Sequence, residues 1–145
     1  MKTNGGFLVT KIKQLGDRIF ERILAEKNID AFNGAQGRIL YVLWQEDGVP
    51  IKIISEKSGL AITSLTTMLE RMEKNGLISR KTDEADKRKT LLFLTDKAKK
   101  LKEAYDSVSN EMGNIYYRDF TDKEILQFEE YLNRIRVNLE EWSDK

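Results

Sequence analysis

The stretch that decides the fold is ITSLTTMLERMEKNGLISRKTDEADKRKTLLFLT, residues 62–95. Leu65, Met68, Leu69 and Met72 fall at i, i+3, i+4 and i+7, the spacing of one helical face. Asn75-Gly76 closes that helix, because both residue types tolerate the left-handed backbone of a C-terminal cap. The period then changes from 3.6 to 2, and Leu77–Lys81 and Thr90–Leu94 are short strand candidates. The polar run between them, Thr82 to Lys89, has the composition of an exposed hairpin tip. A β-hairpin therefore follows directly on a helix.

Upstream, Ile51–Ser58 is a short helix that ends at Gly59, a residue suited to a tight turn with positive φ. Helix, short turn, helix and hairpin in that order make a winged helix-turn-helix. Further back, Asn33 is a plausible cap for a helix through Gln36, Ile39, Leu40, Leu43 and Trp44, stopped by Asp47-Gly48. From Phe7 to Lys27, Leu8, Ile12, Leu15, Ile19 and Ile23 trace one face of a first helix, and Asn28 to Phe32 breaks the pattern.

Downstream, Thr95 can cap a helix carrying Asp96 in its first turn, with Ala98, Leu101, Tyr105, Val108, Met112 and Ile115 as its apolar stripe. Thr121-Asp122-Lys123-Glu124 is a capping box. Behind it Ile125, Phe128, Leu132, Ile135, Leu139 and Trp142 form an a/d seam. The expected fold is mainly α: a winged helix-turn-helix lobe with a small β-hairpin wing over residues 33–95, flanked by helical regions 1–32 and 96–145.

At 145 residues the chain is one domain's worth, enough to bury roughly 70% of the surface its unfolded form exposes. It contains no cysteine and no histidine, which removes disulfides, thiolate nucleophiles, and Ser-His-Asp or Cys-His catalysis. A zinc site would need carboxylates alone. Adjacent acids such as Glu140 and Glu141 lie on a helix end and do not face one another, so no enzyme, cofactor or metal is expected. The polar start, Met1 to Gly6, and the lack of an apolar run near 18 residues predict a cytoplasmic chain with no membrane partner.

Twenty-five basic against 24 acidic side chains leave a formal charge of +1, which would ordinarily argue against a nucleic-acid partner. Its distribution argues otherwise. Residues 1–61 carry +2, residues 62–101 carry +4 and residues 102–145 carry −5. Phosphates respond to a local cluster of cations, and the cluster lies on the second helix of the helix-turn-helix and its wing.

Three parts of this sequence resemble the MarR family of winged-helix transcriptional regulators. They are Ile54-Ser55-Glu56-Lys57-Ser58-Gly59-Leu60, the run Leu69-Glu70-Arg71-Met72-Glu73-Lys74-Asn75-Gly76-Leu77-Ile78-Ser79-Arg80, and Asp86-Lys87-Arg88 followed by Leu94-Thr95. The spacing matches without a gap from Gly59 to Thr95, and two helices before and two after extend the likeness over essentially the whole chain. The resemblance implies a homodimer in which the first helix and the last two of each subunit interlock. It also implies binding to palindromic double-stranded operator DNA, usually as a repressor released by a small effector. Three apolar stripes on terminal helices, more than a lobe of this size should absorb, agree with the dimer.

Carried onto this chain, the helix from Ile62 to Asn75 corresponds to the recognition helix, with Thr63, Ser64, Thr66, Thr67, Glu70 and Arg71 outward. Hydroxyls can bond phosphates or base edges, and threonine methyls can meet thymine. Thr63, Ser64, Thr66, Thr67, Arg71 and Lys74 are the DNA-contact candidates on the helix. Asp86 and Arg88 correspond to the wing pair, the arginine reaching the minor groove and the aspartate holding its guanidinium, with Lys81, Lys87 and Lys89 as phosphate contacts. Two positions depart from the family: Ala61 stands where a Ser or Thr cap is usual, and Thr67 where a basic residue is common.

Family effectors, lipophilic or phenolic, lodge between the dimer helices and the lobe. Candidates here are Phe20, Arg38, Trp44 and Tyr105, with Phe32, Tyr116 and Arg18 nearby in character, although aromatic residues at helical spacing mainly fill interiors. Cysteine-based peroxide sensing and histidine-rich zinc sensing are excluded by composition. The alternative is a helical protein-interaction module that uses the same fold without DNA, docking partners through the seam from Ile125 to Trp142.

Overall fold

The computed structural model describes all 145 residues. Seven helices and one two-stranded sheet run in the order α1 (Gly5–Glu26), α2 (Gly34–Gln45), α3 (Ile51–Ser58), α4 (Ile62–Lys74), β1 (Ile78–Thr82), β2 (Thr90–Leu94), α5 (Asp96–Lys99), α6 (Lys102–Tyr116) and α7 (Asp122–Ser143). They divide into two compact units, Met1–Asn110 and Glu111–Lys145. This partition does not follow the boundaries at 32 and 95. Phe32 and Tyr105 pack ring against ring, which ties the chain on both sides of the winged segment into the first unit.

Local chemistry sets the helix ends. The Asn33 side chain accepts the Gln36 N–H at 2.8 Å while the Gln36 side chain accepts the Asn33 N–H at 3.1 Å, so two orphan donors of α2 are satisfied reciprocally. Pro50 precedes α3, and Gly59 ends it with φ 75°. In the turn that follows, the Ser55 hydroxyl donates to the Leu60 carbonyl at 2.7 Å and the Ser58 hydroxyl accepts the Leu60 N–H at 3.1 Å. These two bonds fix the angle at which α4 leaves α3.

Gly76, with φ 74°, lets the Leu77 N–H return to the Met72 carbonyl at 2.9 Å and its own N–H to Glu73 at 3.0 Å, the paired bonds of a Schellman cap. Leu77 is thus part of the helix stop, and β1 begins one residue later than its apolar character suggests. The hairpin is antiparallel, with Ile78 opposite Leu94 and Thr82 opposite Thr90. Val49 adds a one-residue third strand: its N–H and carbonyl pair with Leu92 at 3.3 and 2.9 Å. Beside it the Asp47 carboxylate accepts the Leu94 N–H at 2.8 Å.

The core of the lobe is made by Ile39, Leu40 and Leu43 of α2, Ile54 of α3, Leu65, Leu69 and Met72 of α4, and Leu77 and Leu92 at the hairpin, none more than 1% exposed. Each such burial contributes about 1.5–3 kcal/mol. Met68 is only half-buried, at the edge of that face.

The stripe from Ala98 to Ile115 predicts one helix, and the structure has two. The Ala98 carbonyl receives the Leu101 N–H at 3.1 Å and the Trp44 indole N–H at 3.3 Å, so a side chain from α2 takes a place in the hydrogen-bond ladder and α5 ends at Lys99. Thr95 caps α5 as expected, accepting the Ala98 N–H at 3.2 Å.

Only Ile23 and Leu24 of α1 are buried, while Phe7, Leu8, Val9, Ile12 and Leu15 are exposed. In the second unit α7 buries no residue; Ile125, Phe128 and Leu132 are half-covered, and Ile135, Leu139 and Trp142 stand open. The Thr121–Glu124 capping box forms, with bonds of 2.8 and 3.2 Å. Across the α6–α7 turn the Tyr117 hydroxyl donates to Glu129 at 2.6 Å, its ring against Tyr116, Phe120 and Phe128. Desolvation, then the bond to the Glu129 carboxylate, push the Tyr117 phenol up to about 12.

Candidate nucleic-acid interface

With Leu65, Leu69 and Met72 turned into the core, α4 presents Thr63, Ser64, Thr66, Thr67, Glu70, Arg71 and Lys74, all exposed. The Thr66 hydroxyl donates to the Ile62 carbonyl at 3.0 Å, one turn back. Those of Thr63, Ser64 and Thr67 are unengaged, as are the charged ends of Arg71 and Lys74. Ala61 occupies the cap position with no side-chain bond, which costs the helix start about 1 kcal/mol against a serine or threonine there.

The far end of α4 is held firmly. Glu73 pairs with Arg80 of β1 at 3.2 Å, the Thr95 hydroxyl donates to the Gly76 carbonyl at 2.6 Å, and Lys97 donates to the Asn75 carbonyl at 3.0 Å. A cation at the negative end of the helix dipole adds to the hold. The exposed face of α4 is therefore carried on a helix fixed at its C-terminus and by its turn to α3.

At the hairpin tip Asp86 organises Arg88. One carboxylate oxygen accepts the Arg88 backbone N–H at 3.1 Å and Nε at 3.0 Å; the other accepts Nη2 at 3.2 Å. The side-chain bond to Arg88 comes first among the causes that hold the Asp86 carboxyl below its ordinary range, followed by the backbone bond. The same fork raises the Arg88 guanidinium. Arg88 remains 90% exposed on its side chain, so it is pre-oriented and still open to a partner. Lys87 and Lys89 flank it with no ion pair.

Lys81 has a different setting. Its ammonium lies 5.3 Å from the centre of the Phe93 ring across the hairpin. Phe93 in turn packs on Gly48, where a Cβ would stand 2.5 Å from the ring and where φ is 69°. Phe93, Gly48, Arg80 and Lys97 support this face; the sequence reading took Gly48 only as the stop of α2 and Arg80 only as part of the matching run, and singled out neither Phe93 nor Lys97. Gly48 and Phe93 are 45 positions apart, and no local pattern joins them.

The effector candidates are brought together. The Tyr105 ring centre lies 6.1 Å from Phe20, 6.1 Å from Phe32, 5.8 Å from Tyr41 and 5.3 Å from Trp44. Burial raises the Tyr105 phenol, helped by Tyr41 and opposed by the positive charge of Arg38. Gly37 passes close: a Cβ there would be 3.1 Å from Tyr105 and 3.2 Å from Phe32. Tyr41 is the member that the sequence reading missed, and Tyr116 belongs to the second unit, against Tyr117.

Residues 32–90 match the family model described as the MarR family. The HTH-type transcriptional regulator TtmR of Methylorubrum extorquens is 36% identical over 77 residues, covering 53% of this chain and 40% of TtmR. The organic hydroperoxide resistance transcriptional regulator of Bacillus subtilis is 42% identical over 64 residues, 44% of each chain. The matched segment thus spans less than half the length of these curated relatives. Among solved structures, a mutant of E. coli MarR complexed with operator DNA superposes with a TM-score of 0.80 at 22% identity, covering 90% of this chain and 91% of that one. At that identity the likeness establishes the fold.

Proposed function

Residues 32–90 being those of a MarR-family segment, we propose that the chain is a sequence-specific DNA-binding transcriptional regulator of the cytoplasm. The observation that carries this reading is the Asp86–Arg88 fork at the tip of the wing. An exposed guanidinium, oriented in advance by two side-chain bonds, loses less freedom when it enters a groove than a loose one would. Residues 62–101, which include the fork, carry +4 in all, and the face of α4 offers free hydroxyls and two unpaired cations. The wing's role is to contact the minor groove and its phosphates, and that of Thr63, Ser64, Thr67 and Arg71 is to meet the major groove.

The working form is a homodimer on a palindromic operator, joined through the uncovered apolar faces of α1 and α7. The mode of regulation is repression relieved by a small aromatic or lipophilic effector, for which Phe20, Trp44 and Tyr105 supply ring surface and Arg38 a positive charge.

The test is a salt titration of binding to duplex DNA, read by fluorescence anisotropy, for the wild-type chain and Arg88→Ala. The variant should bind every duplex more weakly, and its log–log slope against salt should be shallower by about 1. Equal affinities and slopes across the titration would remove the wing from the interface. Negligible binding by the wild type at low salt would favour the protein-interaction alternative.

A further inference from the structure

Opposite the buried ridge of α4, Thr63, Thr67, Glu70 and Lys74 recur at steps of four, three and four, forming the stripe that faces directly away from the core. Glu70 is its only acid. The other acid of the helix, Glu73, is neutralised by Arg80, whereas the Glu70 carboxylate pairs with nothing, although Arg71 and Lys74 stand beside it on the same helix. A free negative charge sits at the centre of the face proposed to enter the major groove.

An ionised carboxylate only accepts hydrogen bonds. Phosphates repel it, and guanine N7 and O6 or thymine O4 confront it with further acceptors. The groove holds just two kinds of donor, the amino groups of adenine and cytosine. Adenine presents its amino group next to the N7 acceptor, a pair suited to an amide that both donates and accepts. Cytosine presents its amino group without a neighbouring acceptor on the same base.

We propose that Glu70 is a specificity-determining residue that accepts a hydrogen bond from the N4 amino group of a cytosine in the operator. This rests on DNA binding by α4 as read above. Glu70 lowers affinity for DNA in general and restores it at a C·G pair correctly placed, which widens the gap between operator and random sequence. Arg71 and Lys74 keep the surroundings positive enough for the helix to enter.

The experiment uses the full chain, as wild type, E70A and E70Q, each selected against the same random-sequence duplex library at one salt concentration. In the duplex that the wild type enriches, every C·G pair is then changed in turn to T·A, which replaces an amino donor by a carbonyl acceptor at the same place. One such change per half-site should weaken the wild type roughly 5- to 150-fold. The same change should alter E70A by less than about 2-fold, and E70A should bind unrelated duplex at least as tightly as the wild type. E70Q, nearly isosteric and so a check on folding, should move the preference at that position from cytosine to adenine. An E70A that selects the same cytosines with the same penalty overturns the contact, as does an E70A whose selected sequence departs from that of the wild type at A·T pairs alone. A wild type that enriches no sequence overturns the DNA reading beneath it.

Discussion

Asp86 shows what a single side chain can contribute without touching a partner. It adds a negative charge to a surface proposed to meet phosphates, so charge alone says that removing it should tighten binding. Its bonds to Arg88 say the reverse, because a freed guanidinium must be ordered at the moment of contact. Asp86→Asn should therefore weaken binding to duplex DNA, roughly 2- to 12-fold, despite making the chain more positive. Tighter binding by anisotropy would show that net charge outweighs pre-orientation. Because the folded Asp86 carboxyl titrates below its ordinary range, the fork is complete above that range and is lost only as pH falls through the lowered value. At this scale the sequence was most legible where partners are near neighbours: Asp86 and Arg88 are two apart. Lys81 was legible as a cation, but its seat on Phe93 depends on strand register, which residue identities alone do not specify.

Among the elements, caps and periods were readable and long-range intrusions were not. Asn33, Gly59, Gly76, Thr95 and Thr121 each end or begin a helix through contacts within a few residues. The break between α5 and α6 comes from Trp44, 54 residues away, and nothing in the stripe from Ala98 to Ile115 announces it. Leu77 belongs to the α4 cap for a similar reason: an apolar residue beside a strand can serve either element. Gly48 carries the strongest prediction at this level. Its φ of 69° suits glycine, and its missing side chain makes room for the Phe93 ring. Gly48→Ala should lower stability by about 1–3 kcal/mol, combining backbone strain with a displaced aromatic, as read by thermal or urea unfolding. A melting curve unchanged from that of the wild type would mean that the turn relaxes freely and that Phe93 is not held there.

For the whole molecule, the net charge of +1 is the least informative number in the sequence. It conceals +4 on residues 62–101 and −5 on residues 102–145. The apolar surface is divided as unevenly, being well buried in the lobe and open along the first turns of α1 and the length of α7. Patches of this kind usually mark association surfaces. The chain should sediment as a dimer at micromolar concentration, and Leu139→Asp together with Ile135→Asp should shift it toward monomer while leaving helicity unchanged. A wild-type monomer by sedimentation or light scattering would overturn the proposed assembly. The seam itself was legible from its heptad spacing. Which of its residues remain uncovered within a single chain became visible only in three dimensions.

The root of the hairpin is stitched to the turn behind α2 at three successive residues: Asp47 to Leu94, Gly48 to Phe93, Val49 to Leu92. Mechanically this makes the turn and the wing root one rigid bracket, with α2 as its handle. Arg38, Tyr41 and Trp44 ride on that handle, and the seven residues from Asp83 to Lys89 hang from the other end. A tilt of α2 would therefore be passed to the root of the wing through these three contacts.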